Sequence, residues 1–231
     1  MQWVDILDRL GVKGFKVASM DMTNHLLLKA IAGKKKTVYL ATGVGSLDEV
    51  KNSVKVMKKH GARDIVVLHC ISNYPTKPED IHLGFMSDIA KATNLPVGFS
   101  DHSLGVAAPL AAIALGATVI EKHFTTDKNL DGPDHKISLD PAELKALTEG
   151  AKVVAAAMSP MKSANKRPDI GNRSTMRRGV YAAKDMKKGD KITLEKLKFV
   201  RPEITPMEKL DSILKTRAVR DFKANEPIRL K

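Results

Sequence analysis

The chain has 231 residues, 43% of them hydrophobic, and a formal net charge of +13. This length accommodates one large domain, or a large and a small one. No apolar run approaches the roughly 20 residues that cross a bilayer, so we expect no membrane partner. Acidic residues interrupt the first ten positions and no basic leader precedes them, which argues against a signal peptide. The single cysteine, Cys70, fits a reducing, cytoplasmic location without an internal disulfide.

Most of the positive charge lies in the last third of the chain. Residues 162–231 hold 20 Lys and Arg against 9 Asp and Glu. The basic residues are scattered among acidic ones, without an aromatic platform or a recognition-helix pattern. We therefore interpret them as a solvated basic surface, or one that attracts phosphorylated or carboxylate substrates, and expect no nucleic-acid partner.

The first two thirds of the chain alternate β-branched runs with amphipathic segments. The predicted strands are residues 15–19, 37–42, 64–70, 96–102 and 119–124. The predicted helices are residues 24–32, 47–60, 81–92, 106–115 and about 141–158. Apolar strands separated by helices predict a parallel sheet covered on both faces, as in a (β/α)₈ barrel or a doubly wound sheet. No Gly-x-Gly-x-x-Gly motif follows a strand, which weakens the second option. Five strands cannot close a barrel, so either the barrel is partial or the sheet is open.

The periodic pattern stops after this region. Residues 159–176 are rich in Ser, Pro, Asn, Lys and Gly, which predicts a linker. Residues 177–231 contain short strand patterns, the turn Lys187-Lys188-Gly189-Asp190 and a helix-like segment at 206–215. The sequence thus predicts a barrel-type domain at 1–158, the linker, and a small β-rich domain at 177–231.

Chemically active side chains occur where the last two predicted strands end. Ser100 and His102 share one strand face, and Glu121 and His123 share a face of the next strand, because side chains alternate along a strand. A single strand-end histidine is usually held by a backbone group. Two at matched strand ends, backed by Glu121 and the later Asp134, favour a divalent metal with positions left open for substrate.

Two other predicted strands also lead into polar residues at this edge of the sheet. These are Ser72, Asn73 and Tyr74 after residues 64–70, and Ser19 and Asp21 after residues 15–19. The Tyr74 segment is either a simple turn or a binding loop. Lys16 interrupts an apolar strand, so it either extends its charge into water or is aimed at an anion.

Several segments in this order resemble the sialic acid synthase family, which includes N-acetylneuraminate, legionaminate and pseudaminate synthases. In the first two thirds, the segments are Phe15-Lys16-Val17-Ala18-Ser19, Leu40-Ala41-Thr42-Gly43, Leu68-His69-Cys70-Ile71-Ser72-Asn73-Tyr74-Pro75, Gly98-Phe99-Ser100-Asp101-His102-Ser103, Ile120-Glu121-Lys122-His123-Phe124-Thr125 and Gly132-Pro133-Asp134-His135. In the tail, Arg177-Arg178-Gly179-Val180 and residues 184–202 are similar to the antifreeze-like (SAF) domain of these enzymes.

The resemblance implies a partial (β/α)₈ TIM barrel, about strands 4–8, followed by a SAF domain. It implies metal-assisted condensation of phosphoenolpyruvate with an N-acetylated amino sugar, N-acetylmannosamine or a relative, to give a nonulosonic acid and phosphate. It also implies a homodimer with swapped SAF domains. The family's first three βα units, with further substrate-binding residues, would precede Met1 and are expected to be missing, which argues against turnover by residues 1–231 alone.

The resemblance also implies roles for individual residues. His102 and His123 would bind Mn²⁺ or Mg²⁺, and Glu121 or Asp134 would manage a proton on the sugar. The remaining positions would bind substrates. Lys16, Ser19 and Ser100 would hold the phosphate and carboxylate of phosphoenolpyruvate, and Ser72, Asn73 and Tyr74 would border the site. Asp21, where the family usually has Glu, would contact the sugar, and Arg201 would contact the acetamido group in the partner's barrel. The alternatives are a non-catalytic remnant that binds ligand or metal, and a metal-dependent aldolase of another barrel family.

Overall fold

The computed structural model describes residues 2–161, 163 and 167–229. The chain divides into two compact units, one ending at Ser159 and the other beginning at Pro160. In the first unit helices and strands alternate: α1 (Gln2–Arg9), β1 (Gly14–Val17), α2 (His25–Ala32), β2 (Thr37–Ala41), α3 (Leu47–Lys59), β3 (Ile65–Cys70), α4 (Phe85–Thr93), β4 (Val97–Asp101), α5 (Ala107–Ala114), β5 (Ile120–Lys122) and α6 (Pro141–Ala157).

The strands of the first unit form one parallel sheet in the order β1-β2-β3-β4-β5. Each strand pairs with the one that follows it in sequence, and a helix makes each connection. All residues of β3 are buried, as expected for a central strand covered on both faces. Capping boxes start α3, with Ser46 and Glu49, and α6, with Asp140 and Glu143.

The sheet is curled rather than flat. Neighbouring strands lie about 4.8 Å apart, so a flat sheet would place β1 and β5 about 19 Å from each other. The Nζ of Lys16 on β1 nevertheless lies 3.0 Å from Oε2 of Glu121 on β5. The two side chains meet only if the sheet bends around the space between them, as the wall of a barrel does. The prediction of a partial barrel is confirmed, and the alternative of an open doubly wound sheet is wrong.

The last strand is shorter than the sequence predicts. Pairing between β4 and β5 ends at Asp101 and Lys122. His123 therefore lies just past the strand, and Phe124 forms only an isolated parallel bridge with Leu139. The backbone N–H of Leu139 donates to the carbonyl of His123 at 2.9 Å, so the returning chain takes the place of a strand partner.

The second unit contains α7 (Arg173–Met176), β6 (Gly179–Ala182), β7 (Leu197–Val200) and α8 (Leu210–Leu214). β6 and β7 pair antiparallel over a separate apolar core that includes Val180, Ile192 and Phe222. The helix α7 falls inside the segment predicted as a linker, which is therefore not irregular throughout. None of the helices in the described part of the chain is long and apolar enough to cross a bilayer.

Candidate functional site

A cavity of about 440 Å³ in the first unit collects residues from the carboxyl ends of the strands. Eight residues singled out in the sequence line it: Lys16, Ser19, Ser72, Tyr74, Ser100, His102, Glu121 and His123. They come from four separate stretches of the chain. The parallel order of the strands brings them together, because strands that run in one direction end at one rim.

The other predicted site residues lie outside the cavity lining. Asp21 is half-buried in a single turn after β1, and Asn73 is exposed. Asp134 is also exposed, but its carboxylate lies 4.0 Å from Nδ1 of His123. Arg201 is an exposed residue of the second unit.

The two predicted metal ligands lie side by side. The ring centroids of His102 and His123 are 5.4 Å apart. Nδ1 of His102 is 2.8 Å from the carbonyl oxygen of Ile71. A carbonyl only accepts hydrogen bonds, so Nδ1 carries a proton, and Nε2 keeps its lone pair whenever the ring is neutral. This arrangement of a donor nitrogen fixed by a carbonyl is typical of metal-binding histidines.

The donor set fits a divalent ion with open coordination positions. Two imidazoles at this separation can both reach one ion, since nitrogen–metal bonds are about 2 Å long. Within residues 2–161, 163 and 167–229, no group of three or more His, Cys, Asp and Glu is arranged to hold an ion. An ion at His102 and His123 would therefore have two protein ligands and take the others from water or substrate.

Tyr74 covers the histidine pair. Its ring centroid lies 4.1 Å from that of His102 and 5.8 Å from that of His123. Burial, with the negative charges of Cys70, Asp134 and Glu121, raises the pKa of Tyr74 above its usual value. The phenol thus stays protonated at neutral pH and is a hydrogen-bond donor at the cavity.

Cys70, at the end of β3, also lines the cavity and was not predicted as a site residue. Its Sγ lies 3.5 Å from the Ser19 hydroxyl and 3.9 Å from Nδ1 of His102. Burial opposes the thiolate, but hydrogen bonds from His102, Ser19 and Ser72 lower the pKa of Cys70 to about 7. Burial likewise opposes the charged form of His102, but its contacts with Cys70 and the Ile71 carbonyl raise its pKa. Its position as the last residue of an apolar strand is the signal that could have identified Cys70.

Lys16 and Glu121 form an ion pair inside the cavity. Their side chains are 34% and 40% exposed, so both remain accessible to a ligand. The Lys16 ammonium thus lines the cavity and faces the Glu121 carboxylate. An anionic ligand would have to compete with Glu121 for this cation.

Asp101 and Lys122 were also missed, although each directly precedes one of the paired histidines. They form an ion pair of 2.7 Å whose side chains are 0% and 4% exposed. The second carboxylate oxygen of Asp101 accepts the N–H of Ser103 at 2.8 Å, and Lys122 also donates to the Ser103 carbonyl. Opposite charges at matched positions of two strand-end motifs are the sequence signal.

Comparison with known proteins gives two family matches. Residues 1–163 match the NeuB family, and residues 177–231 match the SAF domain. The chain is 40% identical over 234 residues to an N,N'-diacetyllegionaminic acid synthase of Campylobacter jejuni, covering 99% of this chain and 70% of that protein. It is 34% identical over 227 residues to a pseudaminic acid synthase of the same species, covering 98% and 66% respectively.

A solved structure gives a similar result. The crystal structure of an N-acetylneuraminic acid (sialic acid) synthetase from Leptospira borgpetersenii, in complex with citrate, superposes with a TM-score of 0.67 at 34% identity. The match covers 75% of this chain and 61% of that one. The chain thus spans 61–70% of the length of these three proteins.

Proposed function

Because this chain belongs to the NeuB family and carries a SAF domain, we propose that it serves a condensation of phosphoenolpyruvate with an N-acetylated amino sugar. N-acetylmannosamine or a close relative is the acceptor, and a nonulosonic acid and phosphate are the products. One observation carries the proposal: Lys16, the hydroxyls of Ser19 and Ser100, and the pair of histidines converge from separate strand ends on one cavity.

Lys16, Ser19 and Ser100 bind phosphoenolpyruvate in this proposal. All three line the cavity, and Lys16 is the cation that the phosphate or carboxylate would take over from Glu121. C3 of phosphoenolpyruvate forms the new bond to the aldehyde carbon, water adds to C2, and phosphate leaves by cleavage of its C–O bond. A lysine beside the phosphate stabilises the charge that develops on it.

His102 and His123 would hold the divalent ion, with Mn²⁺ favoured and Mg²⁺ as the alternative. When bound, such an ion polarises the aldehyde carbonyl as a Lewis acid. The chain's own contribution is orientation, since the Ile71 carbonyl keeps Nδ1 of His102 protonated and Nε2 available. Ser72, Asn73 and Tyr74 border the two substrates in this proposal, with Tyr74 as a hydrogen-bond donor next to the histidines.

Glu121 and Asp134 are the proposed proton carriers. Glu121 faces Lys16 within the cavity. Asp134 lies outside the cavity lining, with its carboxylate 4.0 Å from Nδ1 of His123. The aldehyde oxygen becomes a hydroxyl in the product and must gain a proton, which a positioned carboxyl group can deliver. Asp21 is the proposed contact to the sugar from the turn after β1.

We further propose a homodimer in which the SAF unit of one chain reaches the barrel of the other, with Arg201 binding the acetamido group. The support is that Arg201 is exposed on a unit with its own apolar core. Equilibrium sedimentation of the full chain tests the dimer, and calorimetric titration of the sugar into wild type and Arg201→Ala tests the contact. We expect a dimer in both proteins and weaker sugar binding in Arg201→Ala, whereas a monomeric wild type contradicts the swap.

Phosphate release tests the reaction. With Mn²⁺ present, release should require both phosphoenolpyruvate and an N-acetylated amino sugar, and a heavy-oxygen label in the bridging position of phosphoenolpyruvate should appear in the phosphate. Lys16→Met should abolish release, while Lys13→Met, which alters an exposed lysine outside the cavity, should not. Release without a sugar would contradict the proposal. Binding of Mn²⁺ and phosphoenolpyruvate without any release would favour the non-catalytic alternative.

A further inference from the structure

We propose that the buried ion pair of Asp101 and Lys122 is a positioning device for His102 and His123. It locks the ends of β4 and β5 together, so that the two imidazoles emerge next to each other at the cavity. The inference rests on the proposed metal site and deepens it, because it concerns residues that hold the ligands rather than the ligands themselves.

The first support is the register of the strands. Asp101 and Lys122 are direct partners in the β4–β5 pairing, and the pairing ends with them. Each is followed immediately by one of the two histidines. A shift between the two strands would therefore break the ion pair and separate the histidines at the same time.

The second support is the way that the pair encloses His102. Asp101 precedes His102 and Ser103 follows it. The Ser103 N–H donates to Asp101, and Lys122 donates to the Ser103 carbonyl as well as to Asp101. The residues on either side of His102 are thus both bound to the Lys122 ammonium, Asp101 through its carboxylate and Ser103 through its carbonyl. The His102 carbonyl itself accepts the N–H of Thr76 at 3.0 Å.

The third support is energetic. Taking two charges out of water costs several kcal/mol per ion, and apolar side chains of similar size often stabilise a fold as well or better. Stability alone therefore does not explain side chains of 0% and 4% exposure in this pair. A role in orienting the histidines does explain the burial of this pair. The pair also carries no net charge, so it would not repel a cation held by the histidines.

The test is a double substitution that leaves no unpaired charge. Asp101→Asn with Lys122→Met removes the ion pair and should keep the chain folded, whereas either single substitution leaves one charge buried without a partner. We expect the Kd for Mn²⁺, measured from the electron-paramagnetic signal of free Mn²⁺, to rise about 10–100-fold, as is typical when outer contacts of a metal site are lost. In metal-free protein, the nitrogen–proton NMR correlation of His102 Nδ1 should shift or disappear.

The matched control is the exposed ion pair of Lys187 and Asp221, at 2.9 Å. The corresponding change there, Lys187→Met with Asp221→Asn, should leave both readouts at wild-type values. If the Asp101/Lys122 double variant also keeps both readouts, the positioning role is overturned. If the wild-type chain binds no Mn²⁺ but the double variant loses the His102 signal, the metal proposal fails and the positioning role stands.

A second variant keeps the inference testable if the double variant does not fold. Lys122→Arg keeps the opposite charges but replaces the ammonium with a longer, planar group that cannot occupy the same point between Asp101 and Ser103. It should change the Mn²⁺ affinity and the His102 signal in the same direction as the double variant. An unchanged signal in a folded Lys122→Arg protein would overturn the inference.

Discussion

At the scale of single residues, the paired histidines make the sharpest prediction. His102→Ala and His123→Ala should each weaken Mn²⁺ binding at least tenfold, because each removes one of the two proposed protein ligands. Calorimetric titration with Mn²⁺ measures the change. His25→Ala is the control, since His25 is an exposed residue of α2. Equal Mn²⁺ affinity in wild type and His123→Ala would rule out the two-histidine site.

The titration of Cys70 gives a second prediction at this scale. Because its pKa falls from 9.0 to about 7, the ultraviolet absorbance of the thiolate should rise through about pH 7 in metal-free protein. The chain has one cysteine, so Cys70→Ser should remove the signal, and His102→Ala should move it to higher pH. The lowered pKa adds stability that is complete above about pH 9 and is lost as the pH falls through about 7. A midpoint near 9 in the wild-type chain would contradict this account.

At the scale of elements, Gly98 controls how closely β5 approaches β4. A Cβ at this position would lie 2.5 Å from the carbonyl oxygen of Val119 and 2.6 Å from a methyl group of Leu68. That same carbonyl accepts the N–H of Phe99 at 2.9 Å. Gly98→Ala should therefore push the strands apart and lower the free energy of unfolding by about 1–3 kcal/mol.

Gly84 provides the control for this substitution. No atom lies within 4 Å of a Cβ built there, and its φ of −56° suits any residue. Urea unfolding of Gly84→Ala should match wild type within error. A similar loss in both variants would show that the effect of Gly98→Ala does not come from the strand contact.

The elements also show how far the sequence determines the result. The strand–helix alternation and the cluster of polar strand ends were predictable, because apolar runs and strand parity are local signals. The shortening of β5 was not, since it depends on Leu139, a residue distant in sequence that bonds to His123. The ion pair of Asp101 and Lys122 was missed for the same reason: each charge alone is typical of a surface, and only their register pairs them.

At the scale of the whole molecule, the two units have separate apolar cores. Phe222 is 1% exposed within the core of the second unit. Phe222→Ala should destabilise that unit by about 3–5 kcal/mol, which is the usual cost of such a truncation. Differential scanning calorimetry should show one of two transitions moving to lower temperature while the other stays in place.

Phe124→Ala is the control for the calorimetry, because Phe124 belongs to the first unit and is 50% exposed. It should leave the transition of the second unit unchanged. A single transition that shifts as a whole in Phe222→Ala would show that the two units unfold together. The separate cores could be predicted from the break in periodicity, whereas the short helix Arg173–Met176 within the predicted linker could not.

The ion pair between Lys16 and Glu121, which first revealed the curvature of the sheet, would also set an order of events in the proposed reaction. Before a substrate arrives, each side chain neutralises the other across the cavity. In the proposed reaction an incoming anion would not meet a free cation; it would exchange places with a carboxylate. That exchange would release Glu121 only when Lys16 has taken a new partner, so binding of phosphoenolpyruvate would free the Glu121 carboxylate to carry the proton that the proposal assigns to it.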